Sequence, residues 1–327
     1  MLTLRRISYG VLVLTLVLAG WLHLGAPLLA VLFSYFALST LLVVTKDKKW
    51  LAFVLFVLVA MGISVGAAYF TRAAIRELPE VADNSLPSAS AWAQARQIEL
   101  PFTDFDSLKA FVIDAFKEET NYLKDVATFA RNATTFLIFT AIGIVAAVSL
   151  FFNSQLDLSR KISASGNNLY SVFCGELSDR FRDFYRSFAT VMGAQITISL
   201  INTALTAIFV LAVRLPDAPL LIALTFLCGL LPIVGNLVSN TIIVCVAFTV
   251  SLKIALVALI FLIAIHKLEY FLNSKIIGDR IRNSIWLTLL ALIIGERLMG
   301  IPGMVLAPVV LNYIRVEMSK IEVQPEP

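Results

Sequence analysis

Charge is scarce in this chain: Asp, Glu, Lys and Arg make up 15% of its 327 residues, against roughly 25% in an ordinary soluble domain. A fold in water needs a charged surface, and a chain that is 59% hydrophobic has too little charge to build one. Histidine is almost missing, with only His23 and His266, far apart in sequence. There is no glycine-rich phosphate loop, no His-Glu-x-x-His pair and no nucleophile elbow, so the common hydrolases and nucleotide-driven pumps are excluded and no cofactor is implied. The three cysteines are an odd number, and Cys228 and Cys245 lie inside apolar runs. Neither a disulfide framework nor a metal site follows from them.

What the sequence does have is long apolar runs. About 20 apolar residues cross the hydrocarbon of a bilayer as a helix, and several runs reach that length, so the reading is an all-α polytopic membrane protein whose first partner is the lipid bilayer. The net charge of +4 does not point to nucleic acid, because Lys and Arg form short clusters beside the apolar runs, where they set topology. Spans are expected at 7–24, 27–45, 51–71, 133–153, 189–213 and 254–272, about six in all. Arg5-Arg6 before an apolar run could also be a cleaved signal peptide, but a second run follows at once across Gly25-Ala26-Pro27, which favours two helices and a tight turn.

The basic N-terminus and Lys46-Asp47-Lys48-Lys49 place both on the cytoplasmic side. The expected organisation is N-terminal membrane helices (1–71), an extracytoplasmic segment (72–132), a membrane helix (133–153), a cytoplasmic linker (154–188), a C-terminal transport core (189–315) and a cytoplasmic tail (316–327). The outer segment has seven Lys/Arg against ten Asp/Glu. It reads as a loop over LPSASAWAQARQIELP (86–101), then an amphipathic helix from the spacing of Phe105, Leu108, Phe111, Val112, Phe116, Leu123, Val126 and Phe129. The linker ends in a second amphipathic helix, with Leu177, Phe181, Phe184, Tyr185 and Phe188 on one stripe and Arg180, Arg182 and Arg186 elsewhere. It is either an interfacial helix with its arginines near headgroups or a helix packed on the spans.

Two apolar regions are interrupted. From Leu220 to Leu252 there is no charged residue, yet Pro232 and Gly235 break the run and Asn236, Ser239 and Asn240 follow. From Ile285 the run stops after Gly295 at Glu296-Arg297, then resumes through Gly300, Pro302 and Gly303 to Ile314. Non-helical backbone at membrane depth is tolerated where it is buried or lines a cavity. Each region therefore reads as a re-entrant hairpin, with kinked ordinary spans at Pro232 and Pro302 as the alternative. A span plus a hairpin at 189–252 and again at 254–315, of opposite direction, makes an inverted repeat, the device of secondary transporters.

Ionisable groups at membrane depth are functional candidates, since each costs about 2.5–3.5 kcal/mol to insert. Glu269 leads them. His266 three residues before it and Asn273 four residues after it share its helical face, and a carboxylate beside an imidazole and an amide can bind a cation or exchange a proton; a carboxylate at the membrane interface beside Lys267 is the plainer reading. Asn236, Ser239 and Asn240 could meet a solute at the first break or merely cap it, and Glu296 and Arg297 could do the same at the second. Pro232, Gly235, Gly300, Pro302 and Gly303 shape the hairpins and could hinge them.

Four stretches carry a family resemblance: Gly193-Ala194-Gln195, GLLPIVGN at 229–236, HKLEYFLNSKIIGDRI at 266–281 and GIPGMVLAPVV at 300–310. Together they resemble the AI-2E transporter family, also called the autoinducer-2 exporter or PerM-like family. Ser274-Lys275 and Ser284-Ile285-Trp286 depart from the prolines usual there. The resemblance implies a multi-pass protein of the bacterial inner membrane that forms a homo-oligomer, a pentamer being one such assembly; flanking charge and the order of segments place both termini on the cytoplasmic side. It implies export of an autoinducer-2-like solute or Na+(Li+)/H+ antiport, and no enzyme activity. The rival expectation is a membrane scaffold or regulatory subunit without transport.

Overall fold

The computed structural model describes residues 2–94, 107, 122–153, 169–231, 234–277 and 285–320. Among them there are ten α-helices and no strand. In chain order they are α1 (Leu2–Trp21), α2 (Gly25–Val44), α3 (Lys49–Gln94), α4 (Tyr122–Phe152), α5 (Leu169–Val213), α6 (Ala218–Gly229), α7 (Val234–Val250), α8 (Leu252–Ile277), α9 (Ile285–Met299) and α10 (Ile301–Ser319). Helix is the expected outcome for apolar runs in lipid, since only there does every backbone N–H and C=O find a partner within its own segment.

Five stretches are long and apolar enough to cross a membrane: Gly25–Val44, Lys49–Ala73, Thr135–Phe152, Val172–Val213 and Ile301–Ser319. They hide little of themselves against protein; in the second, only 11% of the apolar window is buried, and Val57, Leu58, Val59, Met61, Ile63 and Val65 are all exposed. Apolar surface of that extent is stable only in lipid or against a partner, so the chain is a multi-pass membrane protein. Four of the six expected spans coincide with these stretches. The expected span at 7–24 supplies a shorter apolar helix, Ile7–Trp21. That at 254–272 lies in α8, which is long enough but carries Lys253, Lys267 and Glu269. Conversely, Ile301–Ser319 is long enough to cross, although it was expected as one arm of a re-entrant hairpin.

Three local readings change. Residues 86–94, expected as loop, continue α3 through Pro87; a proline weakens or kinks a helix without always ending it, so its presence alone did not mark a loop. The linker helix and the fifth span are one continuous α5, because nothing between Phe188 and Val191 breaks the helical backbone. Of the amphipathic pattern at 105–129, Leu123, Val126 and Phe129 fall in α4, while Phe105, Leu108, Phe111, Val112 and Phe116 lie outside the described residues. So do 154–168 of the linker.

The helices divide into two compact units. The first comprises Met1–Ala60, Ala130–Gly193 and Asp279–Pro327. Its core holds Leu38, Ala52, Phe56 and Phe151, and Phe188 meets Phe33 edge to face at 5.0 Å. Tyr185 stacks edge to face with Tyr35 at 4.9 Å and bonds Ser39 Oγ at 2.8 Å. A buried charge cluster closes one end of this unit: Arg180 of α5 pairs with Glu317 of α10, Tyr9 of α1 donates to the same Glu317 oxygen at 2.6 Å, and Lys320 reaches Glu317 at 2.8 Å and Asp183 at 2.7 Å. Arg180 is therefore not at the headgroups, as an interfacial helix would have it, whereas Arg182 and Arg186 are exposed.

The second unit comprises Met61–Phe129 and Ala194–Gly278. Val210, Ile243, Val246, Ala258 and Leu262 form its core, with Phe209 and Phe261 stacked at 4.2 Å. Helices α6, α7 and α8 pack successively against each other.

Candidate functional site

The site grows from one polar face of α5 in the second unit. Gln195, Ser199 and Asn202 recur at i, i+4 and i+7, which puts them on one side of an otherwise apolar helix. Gln195 donates from Nε2 to the Gly229 carbonyl at 2.7 Å, and Ser199 donates from Oγ to the Phe226 carbonyl at 2.9 Å. Both carbonyls belong to the last turn of α6, where a helix leaves its acceptors unpaired. The side chains of α5 thus finish the interrupted helix where its own backbone cannot.

The break itself is short. Pro232 lies outside the described residues, and α7 begins at Val234. Gly235 packs so closely on the carbonyl of Cys228 that a Cβ there would overlap it, so the hairpin closes only on glycine. Asn236 follows in the first turn of α7 and donates from Nδ2 to Glu269 Oε2 at 2.5 Å. The buried Asn202 side chain of α5 lies beside the same carboxylate. His266, one turn before Glu269 on α8, brings Nδ1 to 3.9 Å from Oε2.

Four polar side chains from three helices therefore meet at Glu269. Its side chain is 13% exposed, that of His266 56%, so the imidazole is on the open edge and the carboxylate is recessed. Asn202 is buried, and its Oδ1 accepts no hydrogen bond. The cluster thus presents a carboxylate and an unused buried acceptor, with the Asn236 amide as donor. Such a set can hold a small cation or pass a proton, because it supplies negative charge and oxygen ligands out of bulk water.

The structure brings together three of the residues singled out from sequence, Glu269, His266 and Asn236. Ser239 is fully buried and donates at 3.3 Å to the Asn236 carbonyl, a backbone role. Asn240 is half-buried on the same helix. Asn273 lies on α8 one turn beyond Glu269; its side chain is outside the described residues. Glu296 and Arg297 belong to the first unit, where both side chains are more than half exposed and lie 3.9 Å apart at the end of α9. Gly300 links α9 to α10 as a single residue with φ +64° and ψ −142°, a backbone region that glycine alone enters freely. Pro302 stands in the first turn of α10, where a missing N–H costs nothing. Gly303 packs on Gly295 so closely that a Cβ on either would meet the other's carbonyl.

Asn202 was missed by sequence reasoning. Its signal was an uncharged amide inside an apolar span, seven residues beyond Gln195, and it became legible only once Glu269 was seen opposite it.

The family described as AI-2E family transporter matches residues 9–321. Among curated proteins, "Putative transport protein YdbI" of Bacillus subtilis (strain 168) is 28% identical over 203 residues, covering 61% of this chain and 55% of that protein; the match thus spans about half the length of that relative. With the family matched over nearly the whole chain and the helical, lipid-facing fold in agreement, the chain belongs to the AI-2E transporter family, whose members are transporters and not enzymes.

Proposed function

We propose that the protein is a secondary transporter that moves a small solute or ion across the bacterial inner membrane, with Glu269 as the group that couples the movement to a cation or proton. The observation that carries this reading is the recessed Glu269 carboxylate, hydrogen-bonded by Asn236 from another helix and flanked by the buried Asn202, beside an interrupted helix. A carboxylate so placed is costly in a membrane protein, and a scaffold has no use for it. In this reading α6–α7 and α9–α10 act as the two hairpins of an inverted repeat. At about 1.5 Å per residue, the 12 residues of α6 and the 15 of α9 fall short of the roughly 30 Å hydrocarbon, which supports re-entry for those arms. The solute is either an autoinducer-2-like diol or Na+ or Li+ exchanged for a proton, and both termini face the cytoplasm of a homo-oligomer.

The test is flux in proteoliposomes. Sodium, lithium and a linear or furanosyl diol are screened with and without a pH gradient, comparing the native chain with Glu269→Gln. Gradient-driven flux that the substitution abolishes is the expected result. Folded protein with no flux under any gradient would favour a scaffold or regulatory subunit, while flux untouched by Glu269→Gln would keep transport and remove the coupling role.

A further inference from the structure

A second cavity in the same unit takes no part in the Glu269 cluster. It lies between α3 and the start of α6 and has a volume of about 330 Å³, within the range of small-molecule sites, roughly 300–1,000 Å³. Two helix faces line it. Helix α3 gives Gly66, Tyr69, Phe70 and Ala73, the i, i+3, i+4 and i+7 positions of one face. The start of α6 gives Leu220 and Ala223, preceded by Pro219 and the N-cap residue Asp217.

Asp217 is the chemically unusual member. Its backbone is left-handed, with φ +54° and ψ +31°, a region that aspartate enters more readily than most residues. An aspartate at this position ordinarily accepts a hydrogen bond from the first turn of its own helix, yet the Asp217 side chain makes no such bond. Its carboxylate is thus not consumed by capping. The space around it is opened by Gly66, since nothing lies within 4 Å of where a Cβ would stand there.

We propose that this cavity binds an organic ammonium group. The Asp217 carboxylate supplies the opposite charge, Tyr69 and Phe70 supply the ring faces that attract a weakly hydrated cation, and Leu220, Ala223 and Ala73 receive its alkyl substituents. A divalent metal ion requires about six oxygen ligands, more than the lining offers, and an anion would be repelled by Asp217. The ammonium group can come from the headgroup of an ethanolamine or choline lipid or from a soluble amine.

The test is calorimetric titration of the full chain, in nanodiscs of phosphatidylglycerol alone, with tetramethylammonium as the probe and empty nanodiscs as the blank. Saturable binding is expected, weakened about tenfold by Asp217→Asn, the loss of one charge-assisted contact. It should be abolished by Gly66→Leu, whose Cβ has nothing within 4 Å and whose longer side chain occupies the cavity. Should Gly66→Leu shift the thermal unfolding midpoint, Asp217→Asn and Tyr69→Ala decide alone. Nanodiscs containing phosphatidylethanolamine separate the sources: weakened probe binding assigns the cavity to the headgroup, and unchanged binding to a soluble amine. Absence of saturable binding, binding indifferent to Asp217→Asn and Tyr69→Ala, or equal binding of glycerol, a neutral polyol, would overturn the proposal.

Discussion

Glu269 and the Arg180–Glu317 pair are charged and recessed, and each is tolerable only because of what surrounds it. Glu269 accepts a hydrogen bond from Asn236 and lies beside Asn202; Arg180 pairs with Glu317 and Tyr9, and its guanidinium lies 4.6 Å from the Tyr9 ring. Removing one partner of a buried pair leaves the other charge stranded, at a cost of about 3–5 kcal/mol, whereas replacing both with apolar residues is often neutral. Glu317→Ala is therefore expected to destabilise the protein by about that amount, and Arg180→Met with Glu317→Leu by much less; denaturant titration in detergent micelles compares them. Asn236→Leu should lower stability by about 1–3 kcal/mol, the penalty for a recessed acceptor losing its donor, and Asn202→Leu by less, since it removes only a polar neighbour of the carboxylate. If Glu269 couples transport, Asn202→Leu should also depress flux, and Asn202→Gln should restore part of it.

At the scale of elements, both hairpins depend on glycine at a backbone crossing, and for the same reason. Gly235 against Cys228 and Gly303 against Gly295 leave no room for a Cβ. Because the neighbour in each case is backbone and not a flexible side chain, relief requires the helices to part. Gly235→Ala and Gly303→Ala are each expected to cost about 1–3 kcal/mol through overpacking. Gly62→Ala on α3, with nothing within 4 Å, should instead stabilise by about 0.5–1 kcal/mol, the ordinary helical preference for alanine. Thermal unfolding of the three variants, measured side by side, checks the contrast. A loss at Gly62 equal to that at Gly303 would mean that the close crossings do not set the stability of the hairpins.

At the scale of the whole molecule, the charge pattern predicts topology. Lys46, Lys48 and Lys49 gather in the α2–α3 connection, and Lys320 stands just past α10. Excess Lys and Arg in short segments stay on the cytoplasmic side. Cysteines introduced at Lys48 and Ser319, in a chain whose three native cysteines are replaced, should both resist a membrane-impermeant maleimide in intact cells and react after permeabilisation. Lys320 itself is held protonated: burial would push its pKa down, but the Asp183 and Glu317 carboxylates outweigh that and raise it, so the α10 end keeps its positive charge across the physiological range.

The sequence by itself determined the helical class, the membrane, the family resemblance and the two interruptions of the C-terminal apolar runs. Each of these is local: apolar length, flanking charge, and a proline or glycine that the backbone cannot ignore. It also identified Glu269, because a carboxylate in an apolar run is conspicuous without knowledge of its neighbours. Only the tertiary structure decided which polar groups meet. Asn236 and Glu269 are 33 residues apart, and Arg180 and Glu317 are 137 apart. Helical periodicity says which face a side chain occupies but not which helix packs on that face. Arg180, for which the sequence left open a place at the headgroups or on a helix packed against the spans, is buried, while Asn202, unremarkable within its own span, sits against the carboxylate. The continuity of α5 and the extension of α3 through residues 86–94, Pro87 included, were likewise decided by the fold, since a proline or a change of composition suggests a helix end without enforcing one.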